Sequence, residues 1–124
     1  MNDIKLKNIL MDVISLSNTY HSAFPRNDVI QAGSSERTEE QLELRMKLVN
    51  YLEALEHDAV LTIRAIMYEG RDEFYAEKMS TAEAIKEWNK TLGTVSKSVD
   101  VDQIVSKRPL SEYLENGMRR LGLN

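Results

Sequence analysis

Histidines, cysteines, carboxylate pairs and arginines are the side chains with chemistry to offer, and this chain uses them sparingly. It has no cysteine, which excludes disulfides, thiolate metal sites and thiol nucleophiles. Its only histidines are His21 and His57, and neither has a partner at a recognised metal-ligand spacing, so no metal site is expected. His21 reads as a helix-end residue facing the terminal carbonyls, and His57, between Glu56 and Asp58, as an exposed turn residue. The nearest approach to a catalytic carboxylate pair is Glu69, Asp72 and Glu73 around Gly70, at a helix end where such groups are ordinarily solvated. The glycines are isolated, so none builds a phosphate-cradling loop, and no serine stands in a nucleophile elbow. No catalytic residue is assigned, no cofactor is expected, and the chain reads as a non-enzyme.

The arginines carry more information. From Ala59 to Met67 only Thr62 and Arg64 are polar. A lone cation in an apolar helix must snorkel to water, pair with a buried carboxylate, or face a cavity that holds an anion. Arg71, directly after Gly70, presents a guanidinium able to fork onto a carboxylate or phosphate. Arg64, Arg71 and Arg108 are therefore the candidate ligand-binding residues, for a small anionic ligand.

These residues need elements to hold them, and the apolar spacing predicts an all-α chain: a compact bundle of five to six helices forming one domain over residues 1–124. Leu6, Ile9, Val13, Leu16, Tyr20 and Phe24 recur at helical steps, which predicts a first helix from Asp3 to Phe24 stopped by Pro25. Residues 26–37 read as a polar, flexible loop. Thr38 with Gln41 forms a capping box for a second helix, with Glu39 and Glu40 in its dipole-favoured first turn.

The second helix carries two apolar stripes, Leu42-Met46-Val49-Leu52 and Leu44-Leu48-Tyr51-Leu55. A face that wide packs on two neighbours or meets another subunit. Leu44, Leu48, Tyr51 and Leu55 are accordingly the candidate interface, the partner being a second copy or another protein.

A break at His57-Asp58 precedes a third helix expected to be the most buried, ending at Gly70. Ser80 with Glu83 forms a second capping box; Ile85, Trp88 and Leu92 line that helix, and Gly93 closes it. Residues 94–107 fit either a helical turn or an extended segment. Pro109 suits the first turn of a last helix, whose stripe is Leu110, Leu114, Met118 and Leu121 and whose stop is Gly122.

Formal net charge is −4, which works against non-specific nucleic-acid binding, and the 59–67 helix is too apolar to read a major groove. Residues 36–58 hold seven acidic against three basic side chains, and the tail from Lys97 five basic against four acidic. The two can attract each other, though solvated faces are the ordinary outcome. No apolar run approaches the ~20 residues of a membrane span, and the start lacks the apolar core of a signal peptide. A cytoplasmic protein is expected.

Two segments, Ile66-Met67-Tyr68-Glu69-Gly70-Arg71-Asp72-Glu73-Phe74 and Pro109-Leu110-Ser111-Glu112-Tyr113-Leu114-Glu115-Asn116-Gly117-Met118 with Leu121-Gly122, resemble a bacterial family catalogued as domain-of-unknown-function family 3775. The resemblance covers about residues 42–122. Asp72 stands where that family has the second glycine of Gly-Arg-Gly-Asp, and the stretch from Lys90 to Arg108 is longer than its usual connection. The family implies no activity or substrate. It does imply that the Gly70-Arg71 turn and the 109–122 helix form one unit, with Gly117 marking a close helix–helix approach.

The functional expectation is a non-enzymatic interaction or regulatory module, forming homo-oligomers or binding another protein. The alternative is a small phage- or mobile-element-type protein that captures an anionic or nucleotide ligand or inhibits a host protein.

Overall fold

Six helices and no strand make up the described part of the chain. The structure, a computed structural model, describes residues 3–23, 35–72 and 78–123. In order these are α1 (Asp3–Ala23), α2 (Ser35–Glu53), α3 (His57–Asp72), α4 (Thr81–Leu92), α5 (Lys97–Val105) and α6 (Leu110–Arg120). The helix α1 buries Leu6, Ile9 and Val13 of the expected stripe together with Leu10, Ile14 and Ser17, while Leu16 and Tyr20 are partly buried and Phe24 lies outside the described residues. The helix α2 begins at Ser35, so Thr38 lies inside it rather than capping it. Of the loop expected over 26–37, residues 35–37 are helical, while 26–34 and Pro25 lie outside the described residues.

The centre of the fold is α3, which meets α4, α5 and α6; α1 packs on α2 and α6, and α2 on α5. Of its residues from Ala59 to Gly70, only Leu61 and Thr62 are not buried. The break before it falls at 54–56, so His57 opens the helix rather than sitting in the turn.

Gly70 does not stop α3. The helix runs on to Asp72, and Gly70 lies where α3 crosses α6. A Cβ on Gly70 would stand 1.6 Å from the Tyr113 carbonyl oxygen and 2.7 Å from the Gly117 amide nitrogen. On the facing helix, a Cβ on Gly117 would lie 2.0 Å from the Ile66 carbonyl oxygen. These obstacles are backbone atoms, which cannot turn aside as a side chain can. Each helix thus supplies a glycine where the other's backbone arrives, the close approach expected at Gly117.

The remaining ends follow local chemistry. Ser80 accepts the Glu83 amide at 3.3 Å, and its hydroxyl donates to the Glu83 carboxylate at 3.1 Å, a variant of the capping box that the spacing predicts. Gly93 ends α4 with φ 64°. Residues 97–105 are helical, capped by Ser96, which accepts the Val99 amide at 3.3 Å. This settles the choice left open over 94–107, with Val101, Ile104 and Val105 buried. At the end of α6, Gly122 takes φ 71°; its amide bonds the Arg119 carbonyl at 3.2 Å, and the Leu123 amide that of Met118 at 2.7 Å, a Schellman pair. Among the described residues no helix is long and apolar enough to cross a membrane.

The crossing predicts an inverted glycine effect. Glycine to alanine inside a helix ordinarily stabilises by roughly 0.5–1 kcal/mol. Gly117→Ala should instead destabilise by about 3 kcal/mol or more, because overpacking against backbone forces the helices apart. Urea unfolding measures it, and a stabilised variant would contradict the crossing.

Candidate functional site

Arg64 is the largest fully buried side chain of the described core, with 2% of its surface exposed. Its partner is Asp100, 1% exposed, on the neighbouring helix α5. The Arg64 Nη1 donates to Asp100 Oδ1 at 3.0 Å and to Gln103 Oε1 at 3.3 Å. The same carboxylate engages His57 Nε2 through its second oxygen at 2.7 Å and accepts the Thr94 hydroxyl. Gln103 Nε2 in turn donates to the Tyr68 hydroxyl at 2.6 Å, and the Tyr68 ring stacks on Trp88 with centroids 5.6 Å apart. A single network therefore ties the start and middle of α3 to α5 and the turn before it.

Helical geometry explains the convergence. His57, Arg64, Tyr68 and Arg71 follow one another at steps of seven, four and three, which places them on one side of α3. Asp100 occupies a position on the same inward stripe of α5 as Val101 and Ile104. An acid in one apolar stripe facing a cation in another is a signal present in the sequence; reading Arg64 without Asp100 missed it. Of the alternatives open to a lone buried cation, pairing with a buried carboxylate is realised.

The pairing is incomplete. Nε and Nη2 of Arg64 are buried and have no hydrogen-bond partner among the described residues. An unmade hydrogen bond on a buried group costs about 1–3 kcal/mol, and more on a charged one. The same side chain lines an open groove of about 420 Å³, shared with Leu92, Thr94, Val95, Val99 and Lys107 among others. Lys107 Nζ lies 5.6 Å from the Tyr68 ring centroid.

Aspartate, histidine and a hydroxyl together suggest nucleophilic catalysis, but the connectivity does not fit it. The His57 nitrogen nearest the Thr94 hydroxyl, at 3.4 Å, is Nε2, the same atom that bonds Asp100. A base needs one ring nitrogen for the carboxylate and the other for the hydroxyl. Here Thr94 gives its own proton to Asp100. His57 is thus exposed as expected, its side chain 39% open to solvent, but it starts α3 and bonds the buried Asp100 rather than standing in a turn.

The other expected site residues are dispersed. Arg71 pairs with Asp72 through Nε at 3.0 Å and Nη2 at 2.7 Å, and its guanidinium lies 5.0 Å from the Tyr68 ring centroid. Arg108 acts electrostatically on His21, and neither Arg71 nor Arg108 lines the groove over Arg64. Glu69 is fully buried and accepts the Trp88 indole N–H at 3.0 Å, while Glu73 lies outside the described residues. The Glu69 and Gly70 carbonyls accept Arg120 at 2.6 and 2.9 Å, locking α6 to the end of α3. This is packing chemistry rather than a carboxylate pair.

The candidate interface is also redistributed. Leu48 is 0% exposed and belongs to the chain's own core, with Val49, Tyr51 and Leu55 packed against it. Leu48 therefore has no surface to offer a partner. The Tyr51 hydroxyl donates to Asp12 on α1 at 2.8 Å; burial, then this bond, pushes its pKa up to about 12. The apolar side chains that α2 does expose are Leu42 at 56% and Met46 at 46%. Between the acidic segment and the basic tail the structure shows an ion pair of the opposite sense, Arg45 of α2 with the largely exposed Asp102 of α5 at 2.8 Å.

His21 sits at the end of α1 beside Tyr20, ring centroids 5.2 Å apart. Its Nε2 is buried without a hydrogen-bond partner among the described residues, so that nitrogen does not bond the carbonyls of the last turn of α1. Burial, with Arg108 adding repulsion, lowers its pKa from 6.5 to about 4.

Among the described residues no three His, Cys, Asp or Glu side chains gather to hold a metal ion. The chain matches no family model, no curated protein and no solved structure. The resemblance to family 3775 thus rests on the motifs at 66–74 and 109–122 alone.

Two measurements probe this geometry. Asp100→Ala strands the buried guanidinium and should cost about 3–5 kcal/mol, whereas Arg64→Met with Asp100→Leu should recover most of that loss; equal losses in urea unfolding would show that the pair is not buried as described. His21 is neutral in the fold down to about pH 4 but titrates near 6.5 when unfolded. Its contribution to stability is therefore complete above 6.5 and is lost as pH falls through that window. An NMR titration should place the His21 midpoint near 4, and a midpoint near 6.5 contradicts its burial.

Proposed function

We propose that the chain is a non-enzymatic binding module whose recognition site is the groove over Arg64, between α3, the α4–α5 turn and α5. The observation that carries this reading is a buried cation lining an open cavity with two N–H donors unpaired. A volume of about 420 Å³ falls within the range of roughly 300–1,000 Å³ usual for small-molecule sites.

Two further observations support binding over turnover. The His57–Asp100–Thr94 cluster lacks the connectivity of a nucleophile and its base. Glu69 and Asp72, the nearest acids to a catalytic pair, are engaged by Trp88 and Arg71. Self-association through α2 is the weaker reading, since it would rest on Leu42 and Met46 while a standard interface buries about 800 Å² per partner.

Val99 is half exposed and lines the groove, so Val99→Glu should leave the fold intact while obstructing the site. Wild-type and variant protein purified from the native host are compared by mass spectrometry for retained small molecules. The expected result is a compound held by the wild type and lost from the variant at unchanged melting temperature. The same set retained by both would reject the groove as the site.

A further inference from the structure

We infer that the groove takes a monocarboxylate with a short apolar body, received by the unpaired edge of the Arg64 guanidinium. This rests on the reading of the groove as a binding site and specifies what enters it.

A guanidinium has a side-on edge on which the Nε–H and one Nη2–H bond point the same way, matched to the two oxygens of a carboxylate. The Nη1 group of Arg64 is taken, by Asp100 and Gln103. The two nitrogens left unpaired, Nε and Nη2, are the two that make up the side-on edge. What Arg64 lacks is therefore one planar acceptor group rather than two scattered bonds. The chain shows the same edge in use at Arg71, whose Nε and Nη2 both bond the Asp72 carboxylate.

Charge selects among acceptors. Arg64 and Lys107 line the groove with Asp100 and Asp102, and Asp102 is also paired to Arg45. The lining itself thus holds two cations and two carboxylates, and a singly charged ligand disturbs that balance least. A monocarboxylate adds one negative charge beside the Arg64 fork, whereas a phosphate dianion adds two.

The lining points the same way. Leu92, Val95 and Val99 are apolar, and Val95 and Val99 are exposed. The two groove hydroxyls are already donated, Thr94 to Asp100 and Ser106 to the Asp102 carbonyl. A ligand rich in hydroxyl or phosphoryl oxygens finds few donors here, whereas an aliphatic carboxylate finds a cation below and an apolar rim above. Both free nitrogens are shielded from solvent, so the lining must part for the carboxylate to reach them.

The test uses the full chain and three probes: 4-methylpentanoate, its amide, and inorganic phosphate. NMR follows the Arg64 Nε–H resonance and the backbone amides of 94–99. The expected result is that 4-methylpentanoate moves both sets of signals, the amide binds about tenfold or more weakly through loss of the charge-assisted fork, and phosphate leaves Arg64 unmoved. No response to the carboxylate, or equal binding of acid and amide, overturns the inference. If phosphate moves Arg64 and the carboxylate does not, the inference fails while the groove remains a binding site. Arg64→Lys keeps the charge, removes the fork and should abolish binding. Because that position is buried, Lys107→Glu at the groove supplies an independent check: binding should weaken about tenfold or more as the local charge reverses, at unchanged melting temperature. Unaltered affinity in a folded Lys107→Glu protein also overturns it.

Discussion

The contact on which the rest of the structure depends is the crossing of α3 and α6 at Gly70 and Gly117. Each glycine admits the other helix's backbone to a distance that no Cβ tolerates. Drawing α6 in this far buries Leu110, Leu114 and Met118 and surrounds α3 with other helices. The carbonyls at the end of α3 then fall within reach of Arg120. A helix so enclosed has little solvent left, which is why its one arginine beyond the first turn and before Gly70 is also buried.

That enclosure sets the terms for the polar side of α3. Arg64 and Gly70 are six residues apart, so at 100° per residue they point roughly 120° away from each other. One direction meets α6 through backbone; the other meets α5 through Asp100. A buried ion pair is weak support for stability, since desolvation consumes much of the Coulomb gain. A partly satisfied one is weaker still. The fold nevertheless keeps Arg64, Asp100, His57, Thr94 and Gln103 joined beside a groove. Within it, Nε and Nη2 of Arg64 have no hydrogen-bond partner among the described residues.

The two ends of α2 show how the same apolar residues serve different ends by rotation. Leu48 and Leu52 disappear into the core, Tyr51 spans to Asp12, and Leu42 and Met46 remain outside. A helix with two stripes must put one of them against its own fold first. The neighbours α1 and α5 together claim the stripe containing Leu48 and part of the other, leaving Leu42 and Met46 as the exposed apolar side chains of α2.

Helix positions were legible in the sequence wherever local chemistry sets them. Apolar steps of three and four, Ser80 before Glu83, and glycines free to take positive φ at 93 and 122 each act within a few residues, so no partner helix need be known to read them. The all-α class, the end of α4 and the stop of α6 follow from these alone. Gly70 shows the boundary of such reasoning. Its freedom from a Cβ serves equally to end a helix or to admit a neighbour, and only the arrival of α6 decides between them. Thr38 shows it again, because a capping box is displaced once the residues before it join the helix. The site belongs to tertiary structure for the same reason. Arg64 announces an unsatisfied cation, but Asp100 is thirty-six residues away, and nothing local tells which carboxylate will come to it or which edge of the guanidinium will be left open.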